Sequence, residues 1–133
     1  MPLAKIHVAE GRYDEARLAR LGQAIQDALE EVLDIPPEDC LRIYNVLPRG
    51  RFVHSPGFLG LTYSEDLVLV EITFIAGRSG QDRLDLLKAL NERVVAAIGI
   101  SPDDFAVMMY ETAGENVSFG RGEAQRAHIA APV

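Results

Sequence analysis

The chain has 133 residues, 48% of them apolar, and a single cysteine, Cys40. That length supports one domain with a core, and one cysteine excludes both an internal disulfide and a cysteine-built metal cluster. The net charge of −7 lacks the basic footprint that nucleic acids and anionic membrane surfaces require, so neither is expected as a partner.

The chain opens Met1-Pro2 and runs straight into an apolar strand, Leu3 to Val8. Removal of Met1 ahead of so small a residue is expected, and it leaves Pro2 with a free secondary amine. Such an amine titrates nearer neutrality than lysine, and a neighbouring carboxylate or arginine shifts it up or down. It is available as base, acid or nucleophile.

The strand ends at Glu10-Gly11-Arg12. A helix follows, with Leu18, Leu21, Ile25, Leu29 and Val32 at three- and four-residue spacing. The Ile35-Pro36-Pro37-Glu38-Asp39 turn ends it. A second strand spans Leu41 to Leu47. Residues 49–65 carry Gly50, Pro56, Gly57 and Gly60 without helical period, which predicts a loop or short hairpin.

The same succession then repeats. A strand from Leu67 to Ile75 ends at Ala76-Gly77-Arg78. Ser79 is placed to cap a helix bearing Leu84, Leu87, Leu90, Val94 and Ile98. The Ile100-Ser101-Pro102-Asp103-Asp104 turn leads into a strand from Phe105 to Glu111. The offset is 66 residues at the Gly-Arg turns and 65 at the proline turns, which predicts one extra residue in the first helix. Repeats at about 2–48 and 67–112, with a C-terminal tail, make one domain over 1–133. The tail is expected to be a hairpin on a neighbouring subunit. No transmembrane-length apolar run and no signal peptide are visible, so a cytoplasmic location is expected.

Each half reads as a β-α-β unit whose strands are parallel, joined by a right-handed crossover. The fold class is therefore α+β, a four-stranded sheet with both helices on one face. The other face, with residues such as Ile43, Asn45 and Leu47 or Val107 and Met109, is left bare and predicts a homo-oligomer with its sheets packed inward.

Pro2, the two Gly-Arg turns, the two proline turns and Ser118-Phe119-Gly120-Arg121-Gly122 together resemble the tautomerase superfamily, whose members use an amino-terminal proline. Over nearly the full length the duplicated chain is similar to the malonate semialdehyde decarboxylase group. The resemblance implies a homotrimeric enzyme that acts on a small carboxylate-bearing oxo acid without cofactor or metal. It implies Pro2, Asp39 and Arg78 as catalytic residues, with Arg78 holding the substrate carboxylate. Arg12 and Phe119 join it as substrate-binding residues, Arg12 by the precedent of the short tautomerases. Two positions depart from the pattern. Ala76 stands where one decarboxylase group has a second arginine, and Val117 where a tryptophan is frequent.

The preferred reaction is decarboxylation of malonate semialdehyde. Keto–enol tautomerisation of a phenylpyruvate-like acid is the first alternative. Hydration or dehalogenation of a small unsaturated acid is another, and an oxo-acid binding module is the non-enzymatic one. Arg42 sits one position off an arginine used by short tautomerases, on the opposite sheet face. His7, His54 and His128 have no ligand spacing, and Cys40 reads as an inert strand-edge residue. Arg51 and Tyr63 fall in the central loop, where nothing in the sequence ties them to a site.

Overall fold

The computed structural model describes residues 2–128. Its elements run β1 (Leu3–Ala9), α1 (Glu15–Leu33), β2 (Leu41–Leu47), β3 (Gly57–Phe58), β4 (Leu61–Thr62), β5 (Val68–Ile75), α2 (Gly80–Ile98) and β6 (Phe105–Thr112). Strands β2-β1-β5-β6 form one sheet, parallel within each pair β1–β2 and β5–β6 and antiparallel between β1 and β5. Strands β3 and β4 form a separate small hairpin in the central segment.

Both helices are 19 residues long and capped at their N-termini, α2 by the expected Ser79. The Asp14 carboxylate accepts from the Arg17 amide at 2.7 Å, and the Ser79 hydroxyl accepts from the Asp82 amide at 3.0 Å. Gly99 closes α2 in a left-handed conformation (φ 69°), with its amide donating to the Val95 carbonyl.

The equal helix lengths correct one expectation. The extra residue of the first half lies in the turn before α1, as Tyr13 between Arg12 and the cap Asp14, and not within the helix. The helices therefore align at an offset of 65. Leu21, Ile25, Leu29 and Leu33 match Leu86, Leu90, Val94 and Ile98, and all eight are buried. Leu84 and Leu87, expected on the buried stripe, are exposed instead, and Leu86 takes the core position.

Against these helix faces lie Ala4, Ile6 and Val8 of β1 and Val68, Val70, Ile72 and Phe74 of β5. The strands alternate, so the ladder register assigns every residue a face. Leu41, Ile43, Asn45 and Leu47 fall on the sheet face away from the helices, as expected. Val107 and Met109 do not. They pair with Val70 and Ile72 and pack on the core, which leaves Ala106, Met108 and Tyr110 on the open face. Leu41, Ile43 and Met108 are 51%, 43% and 55% exposed there. A polar chain crosses this face over all four strands. Asn45 contacts His7 at 3.3 Å, His7 contacts Glu71 at 2.6 Å, and the Tyr110 hydroxyl donates to Glu71 at 3.0 Å.

After β6 the described chain contains no strand, so the expected C-terminal hairpin is absent among the described residues. A short 3₁₀ turn, Gly114–Asn116, leads into successive turns. They are held by local bonds such as Phe119 amide to Gln125 Oε1 and Gln125 Nε2 to the Gly120 carbonyl, both 3.0 Å. The small apolar residues 129–133, expected to belong to that hairpin, lie outside the described residues.

Candidate active site

The antiparallel β1–β5 register pairs Leu3 with Thr73, which brings the start of β1 level with the end of β5. Pro2 is buried at this edge. A cavity of about 430 Å³ opens at the same end. The last turn of α1 and the proline turn supply Leu33, Asp34, Ile35, Pro36 and Asp39. The end of β5 supplies Phe74 and Ile75, the following turn Ala76, Gly77 and Arg78, and the first turn of α2 Asp82. Arg126, from the C-terminal segment, completes the lining.

Arg78 is half-buried, and its Nη1 donates to the Leu33 carbonyl at 2.6 Å. That carbonyl belongs to the last turn of α1, the negative end of the helix dipole, which suits a guanidinium. The anchor holds one nitrogen of the fork. Among the described residues no carboxylate forms an ion pair with Arg78. The Asp39 amide is held by the Pro36 carbonyl at 3.0 Å, and its carbonyl accepts from Gln26 Nε2 at 3.3 Å, so the proline turn and a buried glutamine of α1 fix it.

Arg12 occupies the matching turn at the other end of the sheet, seven strand residues away, roughly 20 Å along β1. Its Nε donates to Asp66 Oδ1 at 2.8 Å, and Glu65 lies 3.7 Å from its Nη1. The bond to Asp66 raises the Arg12 pKa above its ordinary value. Nearby, Asp104, the counterpart of Asp39, accepts from the Ser64 amide at 2.8 Å and hydroxyl at 2.6 Å. Residues 64–66 thus satisfy, at this end of the sheet, the two groups whose counterparts Arg78 and Asp39 line the cavity at the other. A second cavity of about 530 Å³ lies beside Arg12, bounded by Arg49, Phe52, His54 and Glu65.

The structure therefore brings Asp39 and Arg78 together and puts Pro2 at the same end. It does not bring Arg12 there within one chain. Phe119 is 48% exposed and lines neither cavity. Arg51 and Tyr63 do not line the first cavity either, and Arg42 turns toward α1, donating to the Gly22 carbonyl at 3.1 Å. Among the described residues no group of three or more His, Cys, Asp or Glu side chains is placed to hold a metal, and no helix is long and apolar enough to cross a membrane. Sequence reasoning missed Arg126. It stands in an irregular tail, where no periodicity or repeat counterpart signals its place.

A family model described as a tautomerase enzyme matches residues 41–120. The chain belongs to the tautomerase family. Two relatives from Bacillus subtilis (strain 168) agree. The probable tautomerase YusQ is 25% identical over 125 residues, covering 94% of this chain and 98% of the relative. The probable tautomerase YrdN is 29% identical, with coverage of 94% and 95%. A solved malonate semialdehyde decarboxylase is 28% identical with a TM-score of 0.84, covering 92% of this tautomerase chain and 94% of its own. A second, the FG41 malonate semialdehyde decarboxylase inhibited by 3-bromopropiolate, is 27% identical at the same TM-score, with coverage of 98% and 99%. A fused 4-OT solved as a symmetric trimer, 23% identical with a TM-score of 0.77 and covering 96% of this chain and 99% of its own, shares the fold. This tautomerase-family chain is an enzyme of that superfamily.

Proposed function

We propose that the chain decarboxylates malonate semialdehyde or a close 3-oxo acid, using the amine of Pro2 freed by loss of Met1. The observation that carries this is Arg78: a guanidinium anchored through one nitrogen to a helix end, in a cavity shared with Asp39, with no ion pair from the described residues. Arg78 takes the substrate carboxylate by charge-assisted bonds and sets its C–C bond across the aldehyde π system. Asp39 favours the protonated amine, because a nearby carboxylate raises an amine pKa. The Pro2 ammonium donates to the aldehyde oxygen. The C1–C2 bond pair moves into the C2–C3 bond and carbonyl electrons move onto that oxygen, so carbon dioxide leaves and an enolate remains. Protonation at C2 gives acetaldehyde, the net reaction consuming one proton. Phe119 walls the site once the assembly forms.

We also propose that the open sheet face is buried in a homotrimer. Leu41, Ile43 and Met108 form an exposed apolar surface of the kind that marks an interface, and a relative of the same fold is a symmetric trimer. A second reading, keto–enol tautomerisation with neutral Pro2 as base, is favoured by the names of the two curated relatives and by Ala76, which leaves the β5–α2 turn with one arginine.

The test is to incubate mass-verified protein lacking Met1 with malonate semialdehyde and follow products by proton NMR, beside Pro2→Ala. Acetaldehyde from the wild type alone supports the decarboxylase. Its absence, with turnover of phenylpyruvate enol, replaces it with the tautomerase.

A further inference from the structure

We propose that Arg126, delivered by the C-terminal segment, is a second substrate-binding arginine of the Arg78 cavity and grips the same anionic group from its mouth. This rests on the reading of Arg78 as a carboxylate anchor.

The charges of the cavity call for it. Asp34, Asp39 and Asp82 line the walls, against Arg78 and Arg126 alone. The whole chain carries −7. With Asp39 already engaged, an incoming carboxylate still meets Asp34, Asp82 and a repulsive overall field, and a single guanidinium tied to the Leu33 carbonyl is poorly matched to them. The β5–α2 turn offers no second cation, since Ala76 lines the cavity beside Gly77. Arg126 lines the same cavity, and no ion pair with a described residue occupies it.

The tail is built to bring it there. The Arg126 carbonyl comes so near Gly114 that a Cβ at that glycine would stand 2.1 Å from it, so only glycine lets this stretch of tail lie down. One residue earlier, the Gln125 side chain accepts from the Phe119 amide and donates to the Gly120 carbonyl, both at 3.0 Å. The Arg126 backbone is thus fixed on two sides. A guanidinium on such a mount meets an anion with less ordering cost than one on a free tail.

The experiment titrates malonate, an unreactive carboxylate probe, into wild type, Arg126→Ala, Arg126→Lys and Arg78→Ala by calorimetry, and measures kcat and KM with malonate semialdehyde. Arg126 is exposed, so its variants should fold, and circular dichroism checks this. Arg126→Ala is expected to weaken malonate about tenfold, the loss of one charge-assisted bond. It should raise KM by a similar factor with kcat nearly unchanged, the sign of lost uniform binding. Arg126→Lys should recover part of both. Malonate binding unchanged in Arg126→Ala while Arg78→Ala abolishes it overturns the Arg126 assignment and leaves the Arg78 anchor standing. Weakening by Arg126→Ala with Arg78→Ala indifferent supports Arg126 and removes the anchor from the proposed function. Wild type that binds no malonate overturns both.

Discussion

Arg12 and Asp66 form, in one half of the molecule, the guanidinium–carboxylate contact that Arg78 lacks in the other: Nε to Oδ1, 2.8 Å. The two arginines follow matching glycines after β1 and β5. The pair Arg12–Asp66 shows this arginine already holding an acid. It also gives the two arginines different roles. Arg78→Ala is expected to lower kcat/KM for malonate semialdehyde by roughly a hundredfold or more, since a bidentate charged contact is lost. Arg12→Ala should leave kcat/KM within about twofold, because its charge is met by Asp66 and Glu65. Steady-state kinetics on both variants check this, and an equal loss in both would refute the division.

Pro2→Ala keeps an amino terminus but replaces the ring nitrogen by a primary amine of different basicity and reach. The expected loss is about 10²–10⁴ in kcat, the usual worth of a positioned proton donor or base. Protein retaining Met1 should be equally inactive, because its Pro2 nitrogen is an amide. Comparing the two species after separation by mass tests whether the amine, and not the ring, is what matters.

Much of the fold was legible in the sequence. Strand β2 was expected over its observed span, and the Ser79 cap and the parallel pairing of each half follow from local chemistry. Two of the failures within the repeats came down to one residue. The extra position in the first half is Tyr13, in the turn and not in the helix, and at the start of the second helix Leu84 and Leu87 were read onto the face that Leu86 occupies, while Leu90, Val94 and Ile98 are buried as expected. Val107 and Met109 failed similarly, because a strand's two faces differ by a single position and β6 is apolar on both. The cavity was half legible. Asp39 and Arg78 carry repeat and family signals, whereas Arg126 arrives through tertiary packing of a tail on Gly114, which no local pattern encodes.

The corrected helix face makes its own prediction. Leu90 is fully buried among the core side chains of α1 and the sheet, while Leu84 is 61% exposed. Leu90→Ala should cost about 2–5 kcal/mol in unfolding free energy and Leu84→Ala less than about 0.5. Urea titration of the two variants reads the difference directly.

If the open sheet face is the assembly surface, one charge placed in it should dissolve the oligomer without touching the cavity. Ile43 and Met108 sit on the two outer strands of that face and away from the cavity lining. Ile43→Glu or Met108→Glu is expected to shift sedimentation from trimer toward monomer, while circular dichroism keeps the native signal. A wild type that sediments as a monomer would end the proposal.

The polar chain on that same face sets an acid limit. Hydrogen bonds from His7 and then Tyr110 hold the Glu71 carboxyl below its ordinary value of 4.5. A carboxylate with a depressed folded pKa stabilises the native state at pH above its unfolded value, and that stabilisation is lost as pH falls through the lower folded pKa. The chain should therefore melt at progressively lower temperature below about pH 4.5, Lys5 being the other charged neighbour that favours ionised Glu71. Glu71→Gln should flatten this part of the acid limb while lowering stability at neutral pH, because amide bonds replace charged ones. At the alkaline end, burial pushes the Tyr13 phenol up to about 12. A raised pKa stabilises the fold below the ordinary value of 10.0, and that contribution disappears as pH climbs through about 12. Thermal melts of wild type, Glu71→Gln and Tyr13→Phe from pH 3 to 12 separate the two limbs, since each variant should change the slope of the profile only at its own end, whatever its offset at neutral pH.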